Sequence, residues 1–200
     1  MTPSSRLRRA VSATLATVTV ATGLATVTTG SASAEQLHTP AQCAAALSAA
    51  TAGQPIPAVA SYRGPRSLIT PDRQLRIAVS GDNPRPGALT QSIADWNRAL
   101  AGRVTLRQVA PGEEADVTVL NLPGPVGDFV GRASASRRSI EIHLGALSDR
   151  DARMALNHET GHMLGLDDTG CVGTLMHGYS DQQSVVPTPL DVAAVVQGRY

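Results

Sequence analysis

Apolar and polar residues alternate through Leu75, Ile77 and Val79, the period of a strand with one buried face, and the run ends at Gly81-Asp82-Asn83-Pro84. The period then lengthens. Ile93, Trp96, Ala99 and Leu100 fall on one face of a helix, with Thr90 as the expected cap and Gly102 as the stop. Val104 and Leu106 open a second strand, and Val117 and Val119 a third beyond the Pro111-Gly112 turn. Gly124 to Gly131 reads as loop, with Phe129 and Val130 opening a short edge strand, and Ile140, Ile142 and Leu144 alternate again. A long helix is predicted from about Asp149 to Leu164, with Ser148 as cap and Asp149 and Asp151 in the first turn, where the helix dipole favours acid. A last helix starts at Thr188-Pro189, proline taking the tolerated first position. Strands interleaved with an early, a late and a terminal helix predict an α+β fold, a twisted mixed sheet packed on helices.

Upstream of residue 74 the pattern changes. Ala41 to Thr51 is a short Ala-rich helical patch, and Gly53, Pro55, Pro57, Gly64, Pro65 and Pro71 mark loop. Residues 35–73 therefore read as an N-terminal extension or a propeptide, and residues 74–200 as the main domain. His38, in this preamble, is expected to be exposed to solvent. At the start, Arg6, Arg8 and Arg9 precede an uncharged run from Ala10 to Thr29, and Ala32-Ser33-Ala34 gives a small-x-small site before Glu35. That is the layout of a secretory signal peptide over residues 1–34. A membrane anchor of about 20 residues is the rival, but the many Thr lower its hydropathy and a cleavage site follows at once. The expectation is a secreted, extracellular, monomeric chain with no stable membrane association after cleavage.

Composition narrows the class. With 42% hydrophobic and 16% charged residues the chain is not a disordered one. Aromatics are only 2%, so the core must be built from Val, Leu, Ile and Ala. All 17 basic residues are Arg, and the net charge of +1 turns negative once the three in the leader are set aside. No basic footprint for nucleic acid remains. Export also gives Cys43 and Cys171 a default, since an even pair in an oxidising compartment forms a disulfide. A second reading makes Cys43 a latency thiolate on a metal site, although its neighbours Pro40, Ala41, Gln42 and Ala44 offer nothing to fix one.

The chemistry gathers at the end of the long helix, in His158-Glu159-Thr160-Gly161-His162. Residues four apart share a helix face, so both imidazoles can point at one ion while Glu159 stands beside them. Such spacing suits Zn²⁺, with Glu159 as general base toward water rather than as a ligand. A catalytic zinc needs a third protein ligand, so the helix must stop and the chain turn back, which Gly165 permits. Asp168 is the expected third ligand and its neighbour Asp167 the rival. Met176 follows at short distance and suits an apolar floor beneath the ligands, or an ordinary core position. Tyr179 is either a donor to the developing oxyanion or a surface aromatic. His143 and His177 have no partner at ligand spacing and read as structural.

The run His158 to Asp168, HETGHMLGLDD, followed by the Met176 segment, resembles the metzincin metallopeptidases, and among them the snapalysins, small secreted neutral proteases of soil bacteria whose third zinc ligand is Asp. The likeness extends from about Leu75 to the C-terminus, through Ile93-Ala94-Asp95-Trp96-Asn97, Ala115-Asp116 and Gly131-Arg132-Ala133-Ser134. It implies a zinc endopeptidase with a five-stranded twisted sheet, an active-site helix, a backing helix and a C-terminal helix. It also implies peptide or protein substrates bound as an added strand on the sheet edge, a taste for aromatic residues just after the scissile bond, and a structural Ca²⁺ near Asp151. Three departures stand out. Cys171 has no partner in the C-terminal part and must reach Cys43 or stay free. Asp167 replaces the usual Pro before the ligand Asp, and Arg153 is a poor neighbour for calcium. The competing class is a non-catalytic secreted zinc-binding protein that keeps the fold, against which the presence of Glu159 argues, because folding needs only the ligands.

Overall fold

In the computed structural model, residues 38–127, 129–178, 181 and 183–198 are described. The expected signal peptide, residues 1–34, and Tyr179 lie outside them. Four helices and five strands follow in the order α1 (Pro40–Thr51), β1 (Gln74–Ser80), α2 (Pro86–Leu100), β2 (Thr105–Gln108), β3 (Val117–Asn121), β4 (Gly131–Ser134), β5 (Ser139–Ile142), α3 (Asp149–Met163) and α4 (Pro189–Gln197). The strands form one mixed sheet in the order β2-β1-β3-β5-β4, parallel except for the antiparallel β4–β5 pair.

Leu75 and Ile77 of β1, Val117 and Val119 of β3, and Ile140 and Ile142 of β5 are all buried. Against them pack α2 and α3, joined by Trp96, whose Nε1–H donates to the Asn157 carbonyl at 3.0 Å. Asp95 of α2 is buried and accepts from Arg153 Nε and Nη2 at 2.7 Å each. Arg153, out of place beside calcium, thus cross-links the two helices. The sheet has its own clamp. Asp116 accepts from the Arg76 main-chain N–H at 2.8 Å, from the Arg76 guanidinium at 2.8 and 2.9 Å, and from Arg138 at 3.2 Å.

Four local expectations are corrected. α2 begins a turn before Thr90, because Pro86 at its first position presets φ; the Thr90 hydroxyl donates back to the Pro86 carbonyl at 3.1 Å. Phe129 and Val130 precede β4, and Leu144 leaves the alternation to open a 3₁₀ turn at Leu144–Ala146. His38 is half-buried, its ring stacked on Tyr62 at 4.1 Å and its Nε2 2.9 Å from Ser61 Oγ.

The residues ahead of β1 share this core. Cys43, Ala46, Ile56, Tyr62 and Leu68 belong to the same buried cluster as the sheet, and Cys43 is disulfide-bonded to Cys171. The latency-thiolate reading of Cys43 is thereby set aside.

Candidate metal centre

α3 presents His158 and His162 one turn apart, because side chains four residues apart share a face. His158 Nδ1 lies 3.0 Å from the Leu175 carbonyl, and His162 Nδ1 3.0 Å from the Leu166 carbonyl. A carbonyl only accepts, so Nδ1 is the protonated nitrogen facing it in each ring, which in the neutral form leaves the lone pair on Nε2. The Gln183 amide nitrogen also sits 3.0 Å from His158 Nδ1 and directs its donor to the His177 carbonyl.

After Met163 the chain reverses at Gly165, whose φ of +90° is open to glycine. Asp168 returns past the helix end. Its Oδ1 comes 3.1 Å from His158 Nε2 and 3.6 Å from His162 Nε2. These approaches lack hydrogen-bond alignment, and Oδ1 is a buried oxygen with no hydrogen-bond partner among the described residues. One ligand atom from each of the three residues lies within 4.8 Å of the others. Donors aimed at a shared point, one of them an orphaned buried oxygen, fit a cation between them. His158, His162 and Asp168 could hold a metal ion. Asp167 stands apart, its Oδ1 accepting from the Asp168 N–H at 3.0 Å.

Burial works against a charged His158, but Asp168 and Glu159 beside it outweigh this and push the ring up to about 9. Asp168 is held below the ordinary carboxylate range; burial opposes this and the two imidazoles prevail. Glu159 is 7% exposed. Burial pushes its carboxyl up, Asp168 adds to the effect, and it accepts no hydrogen bond among the described residues.

Met176 is buried and packs against Gly161 of α3. A Cβ on Gly161 would run into Met176 Sδ, so the glycine inside the HETGH run is what lets this loop seat on α3. The loop is pinned by Asp191 of α4, a buried carboxyl accepting from the main-chain N–H of Leu175 at 3.1 Å and Met176 at 3.3 Å, and from Thr188 N–H at 2.7 Å. Burial pushes Asp191 up, with those hydrogen bonds pulling against it. Sequence reasoning missed Asp191 and Gln183. The only local sign of Asp191 was its place three residues after Thr188 at a helix start.

The centre lies at the floor of a cavity of about 1020 Å³. Gly131 to Ala133 of β4 and Gly64, Pro65 and Arg66 also line it. A side chain at Gly131 would crowd Glu159, its Cβ lying 3.2 Å from Oε1. His143 stays outside the centre, against Phe129 at 5.8 Å, and His177 is buried in the loop after Met176. Asp151, the expected calcium neighbour, accepts from Ser148 Oγ at 2.7 Å and Arg150 at 3.4 Å at the start of α3. Among the described residues it joins no metal-capable group.

No family model matches the chain, and no curated protein does. Two solved structures of myroilysin are similar to it. One shares 15% identity over 47% of this chain and 48% of its own, with a TM-score of 0.35. The other shares 16% identity over 52% and 48%, with a TM-score of 0.39. This chain thus spans about half the length of either, and overlaps this slight do not bear on the reaction.

Proposed function

We propose that the chain is a secreted zinc endopeptidase that hydrolyses peptide bonds with water. The observation that carries this is Glu159, a buried carboxylate without a hydrogen-bond partner among the described residues, set beside a three-donor cluster at the floor of an open cleft. Two imidazoles and one carboxylate suit Zn²⁺, in line with the resemblance to the snapalysins. A bound zinc ion supplies Lewis acidity, polarising a carbonyl and acidifying water toward a pKa of about 7.

The residues divide the remaining work. His158 and His162 bind through Nε2, their rings oriented by the Leu175 and Leu166 carbonyls, and Asp168 binds through Oδ1. Glu159 takes the proton from the attacking water on a carboxylate oxygen and delivers it to the departing amine nitrogen; its raised pKa suits both transfers. An extended peptide fits between the wall at Gly64–Arg66 and β4, the edge strand of the sheet, whose outer edge can pair with its backbone.

Metal analysis and casein hydrolysis on the purified secreted chain test this. The expected result is one zinc per chain, with activity lost on chelation and restored by Zn²⁺. Hydrolysis that survives complete metal removal overturns the reading. Stoichiometric zinc without hydrolysis supports the non-catalytic metal-binding alternative.

A further inference from the structure

Residues 38–73 have to be either a removable shield or part of the working protein. We propose that they stay, and that the segment Tyr62–Leu68 is the positioning element that sets the chain between His162 and Asp168. This rests on the metal-centre reading above. The main-chain contacts run in a row. Asp167 N–H donates to the Tyr62 carbonyl at 3.2 Å, Gly64 N–H to the Gly165 carbonyl at 3.1 Å, and Leu68 N–H to the Met163 carbonyl at 2.8 Å. Arg63 and Leu166 form an antiparallel bridge within that row.

One peptide plane makes the coupling. Its carbonyl, on Leu166, accepts from His162 Nδ1; its N–H, on Asp167, is held by Tyr62. A plane fixed at both ends orients the ring of one proposed ligand and fixes the start of Asp167, one residue ahead of the other, Asp168. Groups that hold metal ligands in this way typically account for about 10–100-fold in metal affinity. Glycine at 64 is what admits the segment so closely, since a Cβ there would lie 3.0 Å from the Leu166 carbonyl oxygen.

The segment is also built to remain. Tyr62 is 3% and Ile56 5% exposed, so removal would strip apolar surface from the core, and Cys43 ties the segment to Cys171. Nothing from residues 38–73 enters the donor cluster. Gly64, Pro65 and Arg66 line the cleft beside the donor cluster.

Gly64→Val in the full secreted chain, compared with wild type and with Gly64→Ala, tests the idea. The readouts are chelator competition for Zn²⁺, the visible spectrum with Co²⁺, hydrogen exchange of the Asp167 amide, and intact mass after reduction. Expected are zinc held about 10–100-fold more weakly in Gly64→Val, with a smaller loss in Gly64→Ala. An altered Co²⁺ band, a faster-exchanging Asp167 amide, and an active wild-type species that keeps residues 38–73 are also expected. An active mature species beginning at or after Gln74 overturns the proposal even if Gly64→Val does not fold. So do Gly64 variants that fold with wild-type zinc affinity and spectrum. If wild type binds no zinc, the metal-centre reading falls on its own, and the loss of Asp167 amide protection in Gly64→Ala still decides whether the segment holds this turn.

Discussion

Glu159 and Asp168 are both carboxylates beside the same two imidazoles, yet their surroundings push them in opposite directions. Glu159 is raised by burial, and Asp168 is lowered because the imidazoles outweigh its burial. A proton acceptor and an anionic donor need that difference. Glu159→Gln keeps the shape and removes the proton site, so casein turnover should fall by at least about 10²–10⁴-fold while zinc content stays at the wild-type level. Turnover near wild type would assign the base elsewhere. Asp168→Ala should release zinc, whereas Asp167→Ala should hold it with at most a modest loss, since Asp167 Oδ1 serves only the neighbouring N–H. Chelator competition on both variants checks this. The helical half of the centre was legible because HETGH is local, its spacing and face being set by one turn of helix. The choice between Asp167 and Asp168 was not. It depends on how the chain runs after Leu166, where the Asp167 N–H donates to the Tyr62 carbonyl, more than a hundred residues away.

Individual elements read well wherever alternation or helical period was long, as in β1, β3 and α3, and less well at their ends. Thr90 has the chemistry of a cap, but Pro86 starts α2 earlier and the buried Ala88 and Leu89 already lie in its first turn. The charged ties between elements were also invisible, because each joins residues distant in sequence. Asp95 fastens α2 to α3, and Asp116 fastens β1 and Arg138 to β3. Both carboxyls sit below their ordinary range; burial opposes this, and their Arg hydrogen bonds prevail. A folded value below the unfolded one near 3.9 means the stability they give is complete above that pH and is lost as pH falls through the lower folded values. On the acid side, urea unfolding of the metal-free chain should therefore show stability falling from about pH 5 toward pH 2, separate from the loss on the alkaline side as pH rises through the His158 value of about 9. Asp116→Asn should be less stable by about 2 kcal/mol at pH 5 and should decline less steeply toward pH 2. A variant that loses stability in parallel with wild type would place the acid response elsewhere.

At the scale of the molecule, the N- and C-terminal parts of the chain converge on the loop that carries Asp168 and Met176. Cys43 lies in α1 and its partner Cys171 follows Asp168 closely, the two being 128 positions apart in sequence. Two cysteines in a chain read as exported were enough to expect the pair; that it braces the Asp168–Met176 loop was visible only in three dimensions. Around Cys171 the loop is held at several points. Thr169 N–H donates to the Met176 carbonyl at 2.7 Å, and the Thr174 hydroxyl donates to the Cys171 carbonyl at 2.7 Å. Replacing both cysteines by Ser frees a very long loop in the unfolded chain, which in the chain-entropy model costs about 4–5 kcal/mol of stability. The remaining hydrogen bonds and the buried Met176 should still hold the loop in the native state. The double variant is therefore expected to melt well below wild type, yet below its own melting temperature to bind zinc with wild-type stoichiometry and an affinity within about tenfold. Thermal unfolding followed with and without Zn²⁺ separates the two effects, since a ligand that binds only the folded form raises the midpoint of both proteins by mass action. If the folded double variant cannot retain zinc at all, the disulfide sets the geometry of the centre itself, and the loop's own hydrogen bonds are insufficient to keep Asp168 facing the imidazoles.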